Sequence, residues 1–157
     1  MLKDDMTLLD APQYDPARDR RRTVLIIGGI IVVLVLMGLG WYFRYWPEQH
    51  VADKFFAAVQ RQDYETAYAI WMHDPQWKEH QDRYSRYPYS EFYTDWGLGG
   101  EWGKINSYKI FWAGNCPRPG SGIVVDVIVN QRAQHAQVYV SKDDKSLGYV
   151  PCDIEVR

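Results

Sequence analysis

The chain has 157 residues and a formal net charge of −2, room for one domain of ordinary size and no electrostatic basis for holding nucleic acid. Its two cysteines and four histidines are not spaced as a zinc set, and no cofactor or metal is expected. Hydrophobic residues make up 46% of the chain yet mean hydropathy is −0.42, so the apolar residues must be concentrated rather than spread.

Residues 1–23 form a polar tail in which Lys3, Arg18, Arg20, Arg21 and Arg22 balance Asp4, Asp5, Asp10, Asp15 and Asp19. Residues 24–43, "VLIIGGIIVVLVLMGLGWYF", then carry no charged side chain. As a helix this run is roughly 30 Å long, the thickness of a bilayer's hydrocarbon core. A buried helix in so small a domain would need a polar face, so a transmembrane helix is expected. "RDRRR" abuts its start while only Arg44 and Lys54 follow closely. The positive-inside rule therefore puts the tail in the cytoplasm and the C-terminal region outside. Trp41, Tyr42, Phe43, Tyr45 and Trp46 cluster at the outer end, suited to the headgroup layer. A cleavable signal peptide would have a shorter apolar core ending in small residues, and "RRTVLI" is a loose match to a twin-arginine export signal. Gly28, Gly29, Gly38 and Gly40 form no G-x-x-x-G pair, and the span holds no ionisable group, so its simplest role is an anchor.

Beyond the span, Pro47 suits a first helical turn, and Val51, Phe55 and Val59, widened by Ala52 and Phe56, mark the apolar stripe of a helix of about fourteen residues. Asp63 is placed to cap a second helix striped by Tyr64, Ala67, Tyr68 and Trp71 and ending near Met72-His73,. Asp74 could cap a helix beginning at Pro75, and Ser90 a short one stopped by a left-handed Gly97,. "GLGGEWG", residues 97–103, reads as a loop and not a phosphate cradle, because a strand pattern follows it,.

The period then changes from 3.6 to 2. Tyr108, Ile110 and Trp112 alternate with Lys109 and Phe111. Ile123, Val125, Val127 and Val129 alternate with Val124, Asp126 and Ile128, and Ala136, Val138 and Val140 with Gln137 and Tyr139,. "SLGYV" before Pro151 reads as a fourth strand, with "NQR" and "KDDK" as hairpin turns,. Helices followed by an antiparallel sheet give an α+β class: one transmembrane helix, then about three helices packed on a three- to four-stranded sheet across residues 44–157.

The phrase "VADKFFAAVQRQDYETAY", its short Gln-Asp-Tyr-Glu break and the strands that follow resemble the nuclear transport factor 2-like or cystatin-like cone fold over residues 47–157. The resemblance implies a binding, dimerising or accessory domain; some members are isomerases or dehydratases, but no enzymatic member's catalytic motif matches here. "DYETAY" also suits a tetratricopeptide helix pair, yet the pattern does not recur after Trp71,.

Several side chains are candidates for function. Cys116 and Cys152 could form a disulfide closing a loop of about 36 residues, worth roughly 3.8 kcal/mol by chain entropy, or remain two thiols. In a simple meander Cys152 would sit down the fourth strand, so pairing requires the "CPRPGSG" loop to fold back or Pro151 to break that strand. His73 and His80 with Asp74 and Glu79 read as solvated rather than metal-binding. Asp126, alternating with Val125 and Val127, is expected on the solvent face. Tyr68, Trp71, Trp96, Trp102, Tyr108 and Trp112 could line an apolar pocket or form the core. There is no nucleophile elbow, P-loop or sequon. The expected function is a membrane-anchored extracytoplasmic accessory or assembly module of a bacterial envelope complex, non-catalytic, with the bilayer and other membrane or envelope proteins as partners. The alternative is a small-molecule-binding or isomerase- or dehydratase-like pocket domain.

Overall fold

A computed structural model describes residues 16–116 and 122–152. The chain divides into two units, Met1–Phe43 and Arg44–Arg157. The first contains α1, Pro16–Tyr42, a helix of 27 residues with none buried, long and apolar enough by length and composition to cross a membrane. It extends N-terminal to the apolar run. Pro16 is tolerated where no N–H is needed, and the Thr23 hydroxyl donates to the Asp19 carbonyl at 2.9 Å.

The second unit is α+β. Helix α2, Trp46–Gln60, has Pro47 in its first turn, and α3, Tyr64–Trp71, follows after three residues. Gln62 turns the chain with φ 61°, and the Asp63 carboxylate accepts the Thr66 N–H at 3.1 Å. The bonds from Thr66 hold this carboxyl below its usual range, as expected of an acid that caps a helix. Asp74 does not cap a helix at Pro75. Its Oδ1 accepts the Gln76 N–H at 2.8 Å and the chain makes only short 3-10 turns at Trp77–Glu79 and Gln81–Tyr84. Helix α4, Tyr89–Trp96, begins one residue before the expected Ser90 cap, because the extended Pro88 (ψ 162°) occupies the cap position and its carbonyl accepts Glu91 and Phe92. Gly97 leaves with φ −77° and is not a left-handed stop. Glycine is needed there because a Cβ would run into the Tyr93 carbonyl.

Strands β1 (Tyr108–Asn115), β2 (Gly122–Val129), β3 (His135–Ser141) and β4 (Leu147–Gly148) form one antiparallel sheet in chain order. Ile123, Val125, Val127 and Val129 of β2, with Ala136, Val138 and Val140 of β3, present one buried face to the helices. Phe55 anchors the opposite side, its ring 4.9 Å from Trp96, 5.3 Å from Trp71 and 6.2 Å from Phe92. Such offset and edge-on pairs add to the gain from burial. Tyr45, expected in the headgroup layer, packs against this core, and its hydroxyl accepts Asn115 Nδ2 at 3.0 Å.

The fourth strand is two residues long, so the chain leaves the sheet before Pro151. Cys152 comes to the end of β1 and is joined there to Cys116, with a Cα separation of 6.1 Å. The short strand removes the geometric objection that a long β4 would raise.

Candidate functional site on the outer face of the sheet

Strict alternation would send Trp112 to the helix side with Tyr108 and Ile110. The structure corrects this through a break in register: Ile110 faces Val127, but Trp112 faces Asp126. Phe111 is the extra residue of a β-bulge, which re-aims side chains on its strand. Ala113, not Trp112, then enters the core, and two consecutive rings stand on the outer face, Phe111 52% and Trp112 39% exposed. Strand glycines are the signal that was legible in advance. A Cβ on Gly114 would collide with the Trp112 indole, and one on Gly122 with the Tyr139 ring, so each glycine is a seat for a ring lying flat on the sheet.

This covering explains the second correction. Asp126 is 0% exposed, although its alternation gave it to solvent. β2 is an inner strand, flanked by β1 and β3, and long side chains of both neighbours lean over it. His135 Nδ1 lies 3.0 Å from Asp126 Oδ1 but aims at Oδ2, 3.2 Å away, and Oδ1 has no hydrogen bond of its own. The angular fit decides in favour of a donor reaching Oδ2, with the nearer oxygen attracted without alignment. The Phe111 ring meets the imidazole edge-on at 5.1 Å. The result is a buried carboxyl, a histidine hydrogen-bonded to it through Nδ1, and two exposed rings above them. Among the described residues the imidazole's one hydrogen-bond partner is Asp126.

The other candidate rings lie elsewhere. Tyr68, Trp71, Trp96 and Trp102 are core residues. The Tyr68 hydroxyl donates to the Tyr87 carbonyl at 2.7 Å, and the Arg132 guanidinium lies over Trp102 at 5.9 Å. Tyr108 stacks on Phe56 at 5.7 Å and donates to Asp53 Oδ1 at 2.9 Å, linking β1 to α2. These groups pack between helices and sheet, Tyr68, Trp71, Trp96 and Trp102 within the core and Tyr108 against it. His73 and His80 are not brought together: His80 Nδ1 and the Tyr84 hydroxyl meet Asp74 Oδ2 at 2.7 and 2.8 Å, which holds that carboxyl low, while His73 lies against a groove on the helices. Among the described residues no three metal-ligating side chains cluster.

A tyrosine network that the sequence did not reveal ties β4 to α4. Tyr87 and Tyr149 both donate to Asp95 Oδ2, at 2.8 and 2.5 Å, and their hydroxyls are 2.8 Å apart. Partial burial of its hydroxyl, reinforced by Asp95, pushes the Tyr149 phenol up to about 12 although the residue as a whole is 57% exposed, and burial pushes Tyr87 higher still. Burial also raises Tyr68 and Tyr108 to about 12, with the Asp53 hydrogen bond adding to the second. Because the folded phenols are raised, their contribution is complete below about pH 10 and is lost as pH climbs through about 12. From Tyr68, 1% exposed, that contribution is roughly 3 kcal/mol. The part of the tyrosinate absorbance that comes from these four phenols should therefore rise late, near pH 12 or above, together with loss of near-ultraviolet dichroism. Ionisation of every tyrosine near pH 10 with the dichroism retained would contradict this packing.

The chain matches no protein-family model, no curated protein and no solved structure.

Proposed function

We propose that this chain is a single-pass anchor carrying an accessory or assembly domain, with its N-terminus in the cytoplasm and the α+β unit on the outer side of a bacterial cytoplasmic membrane. The observation that carries the reading is α1: 27 residues, none buried, an apolar surface that water does not tolerate at this length. The arginines before the apolar run set its direction. A cone fold of the nuclear transport factor 2-like or cystatin-like kind accounts for helices wrapped on one face of a four-strand meander. The core packing of Tyr68, Trp71, Trp96 and Trp102 supports a non-catalytic role, with the exposed rings Phe111 and Trp112 on the outside of the sheet, where a partner protein of the envelope complex would meet them.

Alkaline carbonate should leave the full chain in the membrane fraction, and a periplasm-dependent reporter should be active when fused after Arg157 and inactive when fused before Met1. The reverse pattern would overturn the orientation. Affinity capture from mild detergent should recover a stoichiometric partner, and recovery of the chain alone in every detergent would overturn the assembly role.

A further inference from the structure

The seam between α2 and α3 on the side away from the sheet is an open groove of about 350 Å³ lined by Val51, Lys54, Thr66, Ala69, Ile70, His73 and Pro75. Its lining is mainly apolar, with Lys54 and His73 the two basic side chains in it. Lys54 has no acidic partner among the described residues. The acids beside the groove are committed elsewhere: Glu65 to Lys78 at 2.6 Å, and Asp74 to Gln76, His80 and Tyr84. An uncompensated cation over an apolar trough suits an amphiphile with an anionic head. The position along the chain says which amphiphile. Only Phe43, Arg44 and Tyr45 separate the end of α1 from the start of α2, a tether of at most about 10 Å. Val51 is five residues into α2, about 8 Å from Trp46, and Trp46 itself is 54% exposed with its indole stacked on His50 at 5.1 Å, the ring type that settles at the headgroup layer.

We infer that this groove binds an anionic phospholipid of the outer leaflet, its phosphate held by Lys54 and His73 and the first part of an acyl chain laid against Val51, Ala69 and Ile70. The inference rests on the anchor reading above. It gives the helical pair a second role besides covering the sheet: its inner stripes form the core while its outer seam grips the bilayer surface, restricting how the domain tumbles on its short tether.

The test uses the full chain in nanodiscs of phosphatidylcholine with and without phosphatidylglycerol, carrying photoreactive benzoylphenylalanine at Thr66 or, as control, at Gln137 on the outer sheet face. Mass spectrometry should find phosphatidylglycerol adducts at Thr66 and none at Gln137. Lys54→Ala should reduce the phosphatidylglycerol adduct roughly fivefold, one surface cation's worth of attraction, and Ile70→Asp should abolish adducts of both lipids while near-ultraviolet dichroism is retained. Adducts that ignore lipid charge and Lys54, a polypeptide adduct in place of lipid, or none at Thr66 in chains that remain in the nanodisc would each overturn the groove assignment alone. Failure of the chain to enter nanodiscs would overturn the anchor with it.

Discussion

Replacing His135 with alanine is expected to destabilise the domain by about 3 kcal/mol, the upper end of the range for leaving a buried hydrogen-bonding group unsatisfied. Asp126 has no exposed surface, and His135 Nδ1 is the one donor the described residues bring to its carboxylate. Truncating the histidine leaves a buried carboxyl with no aligned partner, whereas the double change Asp126→Val with His135→Ala removes both hydrogen-bonding groups together. The double variant should therefore recover most of the loss, as paired replacements by apolar groups do. Urea unfolding of the full chain in detergent, followed by near-ultraviolet dichroism, provides the measurement. A single variant within about 0.5 kcal/mol of the parent, the range of ordinary surface substitutions, would mean that water and not His135 satisfies this carboxylate.

The second large effect concerns the disulfide. Cys116 and Cys152 are 36 residues apart in sequence, and opening that loop should lower stability by roughly 3.8 kcal/mol in the chain-entropy model. The loss has a local pathway. The bond holds down a segment whose strand pairing ends at Gly148, and Tyr149 of that segment supplies one of the two phenols on Asp95. Cys152→Ser should thus shift the denaturant midpoint and also expose Tyr87 and Tyr149 to earlier alkaline ionisation, while Tyr68, buried on α3, keeps its late titration. Thiol alkylation with and without reductant should change the mass only after reduction. Labelling of both cysteines in the untreated protein would show that the chain holds this end without the bond.

Much of the scaffold was legible because it depends on near neighbours. The apolar run, the helix stripes and the aspartate cap each follow from residues within a few positions of one another, where period and hydrogen-bond reach decide the outcome. Asp63, Phe55 and Val125 behave as their spacing implied. The candidate site was less legible. Period-2 alternation assumes an unbroken ladder, and the extra residue at Phe111 moves Trp112 from the inner face to the outer one,. Alternation also assigns a face without saying whether that face is wet, so it placed Asp126 correctly and misjudged its burial.

By itself, the sequence determined the division of this protein into an apolar helix and an α+β unit, and the order of helices before strands, since composition and periodicity are properties of contiguous segments. Only the tertiary structure decided that His135 meets Asp126, that Tyr87 and Tyr149 share Asp95, and that the outer seam of the first helical pair leaves an unfilled groove beneath Lys54. Those hydrogen bonds join residues 8 to 62 positions apart, and which of them touch is set by strand register, the bulge and the angle at which helices pack, none of which a local pattern encodes.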